Sequence, residues 1–135
     1  MIQINDYRIG NFIWVDRALR SICLINADEG FEGAPYVGFS GCEEHPYESC
    51  ASPRVEAAPL SEAVLRAVGF AASPRVRLHA VPLTGNYLLE LDSARPEPGC
   101  TQPALRRTVR HLHEVQNLYH ALHGAELPLH VRVFA

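Results

Sequence analysis

Leu105-Arg106-Arg107-Thr108-Val109-Arg110-His111-Leu112-His113-Glu114-Val115-Gln116-Asn117-Leu118-Tyr119-His120-Ala121-Leu122 is the stretch whose reading decides the fold. At about 100° per residue, Leu105, Leu112, Val115, Tyr119 and Leu122 fall within an arc of about 100°, the apolar stripe of a helix that faces a core. Gly124 ends it, because glycine takes the left-handed conformation that closes helices. The start is open. Pro103 suits a first turn, whereas Leu105 to Val109 also reads as the end of a strand. Beside the stripe, a second arc carries His113, Gln116, Asn117 and His120, with His123 at its edge.

Outward from this helix, the remaining chain reads as short strands and one further helix. Leu127 to Phe134 alternates well enough for a closing strand. Upstream, Arg75 to Val81 and Asn86 to Asp92 form a hairpin through Pro82-Leu83-Thr84-Gly85, and Ser93 to Gln102 is a loop. Ser61 caps a short helix, with Glu62 at the positive end of its dipole, Gly69 at its stop, and Leu60, Val64, Leu65 and Val68 on its buried side. The first forty residues read as an antiparallel meander: a strand from Tyr7 to Val15 bent at Gly10-Asn11, a second from Leu19 to Ile25, a reversal over Asn26 to Gly30, and a third from Tyr36 to Ser40. Gly41 to Pro53 has no apolar period and reads as an exposed loop. Ala51-Ser52-Pro53-Arg54-Val55 recurs as Ala72-Ser73-Pro74-Arg75-Val76. Because the first copy leads to a helix and the second to a hairpin, the recurrence reads as coincidence.

The fold class expected is α+β, a single domain over residues 1–135: an antiparallel meander or small barrel-like N-terminal half, a short central helix, further strands and a packed C-terminal helix. Composition agrees. The chain has 135 residues, 47% hydrophobic and 20% charged, which suits one packed core. Its cationic side chains are 12 arginines and no lysine against 15 carboxylates, a net charge of -3, so nucleic acid is disfavoured as a partner. No apolar run approaches the roughly 18 residues of a membrane span. The opening Met1 to Asp6 lacks a basic segment followed by an apolar one, so a cytoplasmic location without a secretory signal is expected, with Cys23, Cys42, Cys50 and Cys100 reduced.

Three blocks resemble a family of small uncharacterised proteins of Bacteroidetes, their phages and mobile elements. Arg110 to Leu127 is similar to the family's C-terminal signature, approximately KYVHQLQNLYFALTGEEL. Ala57-Ala58-Pro59-Leu60-Ser61-Glu62 through Val68-Gly69-Phe70 is similar to PIPLTEEWLLKFGF, and Ile9-Gly10-Asn11-Phe12-Ile13-Trp14 to an opening IGNYV element. The blocks lie in the family's order and cover a little over a quarter of the chain. The resemblance implies a β-rich or barrel-like N-terminal half, a short central helix, more strands and a packed C-terminal helix, but no reaction. His113, Gln116, Asn117 and Tyr119 match the signature. His111, His120 and His123 depart from it and inherit no role.

Catalytic and metal chemistry find little footing in these residues. Cys42, His45 and Cys50 supply three soft ligands in one stretch, where a structural zinc takes four. His113 and His120 lie about 10.5 Å apart along a helix, too far to share an ion, and His120 with His123 lacks a third ligand. Gly38-Phe39-Ser40-Gly41-Cys42 falls one residue short of a nucleophile elbow. Arg106, Arg107 and Arg110 form a small basic cluster that reads as a solvated face. No catalytic residue, cofactor or metal is therefore assigned. His113, Gln116, Asn117 and His120 are the candidate binding residues, either fastening the helix to a neighbouring strand or recognising a protein or small ligand. The function expected is a non-enzymatic interaction module, an accessory protein of a phage or mobile element. A small-ligand-binding or hydrolytic protein with a site around His113 is the alternative. The protein or small-ligand partner is unidentified, no membrane partner is expected, and homo-oligomerisation stays open.

Overall fold

The computed structural model describes residues 1–26, 35–39, 47–93 and 102–129. They form an α+β fold with two antiparallel sheets, of five and three strands, and two α-helices. The strand-rich N-terminal half and the C-terminal helix are as the sequence leads one to expect. The chain divides into two compact units, Met1–Ala58 and Pro59–Ala135. No helix among the described residues is long and apolar enough to cross a membrane.

The first unit is a meander of β1 (Phe12–Val15), β2 (Ala18–Asn26), β3 (Tyr36–Phe39) and β4 (Tyr47–Ser49), to which β5 (Val55–Ala57) returns beside β1. The sheet order is therefore β4-β3-β2-β1-β5. The expected first strand is shorter than its apolar run. A 3₁₀ turn occupies Ile4–Asp6, and the chain then reverses at Gly10, whose φ of 98° suits glycine. The Asn11 side chain is fully buried there and accepts a hydrogen bond from the Arg8 N–H at 2.8 Å. Val15 and Ala18 close a two-residue hairpin whose Asp16 and Arg17 both have positive φ, 52° and 66°, the geometry of a type I′ turn. Ile13, Ile22, Val37, Phe39, Val55 and Cys50 form the core.

β4 falls inside the stretch expected to be loop. Its three residues have no period of their own, and it is a strand because β3 offers it an edge and because Tyr47 covers Gly38, where an added Cβ would sit 3.0 Å from the ring. The reversal after Asn26 and the segment carrying Cys42 and His45 lie outside the described residues.

The second unit contains α1 (Glu62–Ala67), the sheet β6 (Val76–Ala80), β7 (Tyr87–Leu91) and β8 (Leu105–Val109), and α2 (Leu112–His123). As expected, the Ser61 Oγ caps α1 by accepting from the Val64 N–H at 3.1 Å, and Gly69 follows at φ 67°. The β6–β7 hairpin forms where expected, and its Leu83 takes φ 65° at the third position of the turn after Pro82. Register puts Val76, Leu78, Leu89, Leu91 and Val109 on one face of the sheet and Arg77, His79, Leu88, Glu90, Arg106 and Thr108 on the other. The first face is the buried one, with Leu89, Leu91 and Val109 at 0% exposure.

Three expectations need correction here. Of the two readings open for Leu105 to Val109 the strand is the one formed, so Leu105, placed on the apolar stripe, is not part of α2. Leu127 to Leu129 is not strand: Leu127 is buried, but Pro128 has no N–H to give a ladder. The remaining residues of that segment lie outside the described ones. The recurring Ala-Ser-Pro-Arg-Val is also more than coincidence. In both copies the serine Oγ accepts from the arginine N–H at 3.2 Å, and the serine carbonyl accepts from the valine N–H, at 3.3 Å in one and 3.2 Å in the other. Each copy is one turn that launches a strand through a buried valine, Val55 and Val76.

Candidate functional site

The polar arc of α2 is split by depth. Leu112, His113, Val115 and Gln116 are the buried residues of the helix, Gln116 at 2% exposure, while Asn117, Tyr119 and His120 are half-buried. The buried face is thus rotated from the apolar stripe towards the polar one. His123, expected at the edge of the polar arc, lies near the middle of that face. Its Nε2 is 2.8 Å from the Asp92 carbonyl oxygen, which can only accept, so the ring donates and fastens the end of α2 to the end of β7. Tyr119 stacks on this ring at 4.4 Å with an interplanar angle of 3°.

The other end of the helix is fixed by Glu114. Its Oε1 accepts from the N–H groups of Arg110 at 3.1 Å and His111 at 3.0 Å, and lies 3.2 Å from His111 Nδ1. A glutamate three residues into a helix satisfies donors that have no partner within it. The Arg110 carbonyl in turn accepts from the Leu60 N–H at 2.9 Å. His111 stacks near His113, ring centres 5.7 Å apart. Of the four candidate binding residues, then, His113 and Gln116 lie inside the fold and Asn117 and His120 at its margin.

The basic cluster is dispersed. Arg106 and Arg107 follow one another on β8, so their side chains leave opposite faces of the sheet, and Arg110 lies beyond the strand's end. Among the described residues no group of three His, Cys, Asp or Glu side chains is placed to hold a metal. Cys50 packs in the first unit's core, and burial pushes its thiol above its ordinary 9.0, opposed by the N-terminal ammonium. Cys23 is an exposed free thiol.

A concave feature is found elsewhere in the second unit. Leu65 and Phe70 from α1 and its exit, Leu78 and Ala80 from β6, and Tyr87 from β7 line an open groove of about 470 Å³, with Glu62 and Arg66 at its rim. That volume is within the roughly 300–1,000 Å³ of ligand sites. The two rim charges pair with each other at 3.0 Å, leaving an apolar floor. In the sequence Leu65 reads as a core residue and Glu62 as a helix-dipole residue, and the other lining residues are not singled out. The only local signal is the alternation of β6, which sends Leu78 and Ala80 to one side and Arg77 and His79 to the other. Set against family models, curated proteins and solved structures, the chain finds no match in any of the three comparisons.

Proposed function

We propose that the protein is a non-enzymatic interaction module that holds a short peptide segment of a partner in the groove between α1 and the β6–β7 hairpin. The groove carries this reading: it is open and mostly apolar, and its two charged side chains pair with each other. An open apolar cleft suits a chain segment better than it suits a small substrate, which sites enclose more fully. The depth of His113 and Gln116 supports a fastening role for the polar arc of α2, because buried imidazoles and amides serve chiefly to satisfy neighbouring groups. The three sequence blocks that resemble small phage and mobile-element proteins support an accessory role in that setting.

The test is selection from a displayed library of random peptides on the purified protein, with Ala80→Glu as counter-selection. Ala80 is exposed and lines the groove, so the carboxylate enters the cleft without disturbing the core. Convergent apolar-containing peptides retained by the parent and lost on the variant are expected. Absence of convergence, or indifference to Ala80→Glu, refutes the reading.

A further inference from the structure

Resting on the reading of the groove as a peptide-holding site, we infer that the segment it holds is the tip of the β6–β7 hairpin of a second copy of this chain, with Leu83 as the inserted side chain. Leu83 is 107% exposed and has φ 65°. A lone exposed leucine is ordinary on a protein surface. A leucine in the left-handed region is not, because its Cβ crowds the backbone there and the third position of such a turn favours glycine or asparagine. Two residues on, Gly85 has nearly the same φ, 72°, and there the chain does use glycine. At Leu83 it instead sets an apolar side chain in water on a strained backbone, and at this exposure no packing within the protomer offsets either cost.

The turn that presents Leu83 is tied on both sides. The Thr84 N–H and Oγ1 donate to the Val81 carbonyl at 3.4 and 3.0 Å, and the Asn86 N–H donates to Thr84 Oγ1 at 3.0 Å. Below them, the Val81 N–H donates to the Asn86 carbonyl at 3.0 Å. A leucine held on so fixed a turn loses little freedom when it docks.

The receptor lies on the same hairpin. The apolar floor of the groove is built from Leu65, Phe70, Leu78, Ala80 and Tyr87 and not from Leu83, so the tip that fills it comes from another copy. Ala80 in the groove and Leu83 at the tip are three residues apart, a span of at most about 10 Å. A two-fold axis passing between them therefore sets each tip into the other copy's groove, and the contact is made twice in a closed dimer. Charge agrees with this occupant. Pro82-Leu83-Thr84-Gly85 carries none, and Glu62 and Arg66 at the rim pair with each other at 3.0 Å, so docking leaves no charge unpaired.

The test is sedimentation equilibrium on the whole chain from about 10 µM to about 1 mM, where so small an interface associates. The parent is expected to pass from monomer to dimer across this range. Leu83→Arg and Ala80→Glu are each expected to weaken dimerisation about tenfold or more, with unchanged circular dichroism because both positions are exposed. Mixed in equal amounts, the two variants are expected to dimerise again: the mixed pair keeps one native Leu83 contact and sets the introduced arginine against the introduced glutamate in the other. Leu83→Gly is expected to lose the dimer while its protomer, melted at low concentration, is more stable than the parent's. A parent that stays monomeric, any of the three single variants associating as the parent does, or a mixture that stays monomeric overturns the inference. If displayed peptides still converge on the parent and are lost on Ala80→Glu, the groove reading survives with another occupant. A failure of both experiments removes both.

Discussion

Glu114→Ala attacks the junction at which β8 becomes α2. In the parent, one carboxylate oxygen accepts from two backbone N–H groups at 3.1 and 3.0 Å. Hydrogen bonds to a charged acceptor contribute about 1.5–3 kcal/mol each when buried. Here the side chain is 35% exposed, so water replaces part of what is lost. Helix-cap replacements cost about 0.5–2 kcal/mol. Alanine's better helix propensity returns a few tenths. The expected cost is thus about 1.5 kcal/mol. Glu114→Gln keeps an acceptor oxygen and should cost about 0.5 kcal/mol, the share owed to charge at the helix N-terminus. His111→Ala keeps the backbone N–H that Glu114 accepts from and should cost less than about 1 kcal/mol. Urea denaturation followed by far-ultraviolet circular dichroism, with matched slopes, gives the three values. A Glu114→Ala midpoint equal to the parent's, or a larger loss in His111→Ala, would show that the carboxylate does not hold this end of the helix.

Three further outcomes are expected. Arg17→Gly and Leu83→Gly each relieve a non-glycine residue of positive φ, 66° and 65°, and should each raise stability by about 0.5–1 kcal/mol in denaturant melts; a loss in both would mean that these turns are not strained. Cys50 has a folded pKa above its unfolded value of 9.0, so its contribution to stability is complete below that pH and is lost as pH rises from it towards the folded pKa. Melts between pH 8 and 10.5 should therefore show a decline that Cys50→Ala lacks, and a thiol reagent should label Cys23 well before Cys50. Val115→Ala, at a fully buried position, should cost about 2 kcal/mol or more by cavity formation, exceeding any loss in the half-buried His120→Ala; equal melts would contradict the assigned helix face.

What the sequence determined by itself lies where the deciding residues are neighbours. Ser61 and Gly69 bound α1 because a cap and a left-handed stop act within one turn, and Pro82 to Gly85 reverses the chain whatever surrounds it. The apolar spacing of Leu112 and Val115, with Gly124 beyond, marks α2 for the same reason. The tertiary structure decided the rest. Leu105 to Val109 satisfies both the helical and the strand period, and it became β8 because the hairpin had placed β7 beside it. Tyr47 to Ser49 carries no pattern and is a strand only because β3 offers it an edge. His113 and Gln116 lie in the polar arc, yet their burial depends on how far α2 is rotated about its axis, and the Asp92 carbonyl that receives His123 lies 31 residues away in the chain. Likewise, the alternation of β6 is written in its residues, but only the sheet order puts β6 on the outside of the three described strands, and only the placement of α1 opens a groove beside Leu78 and Ala80.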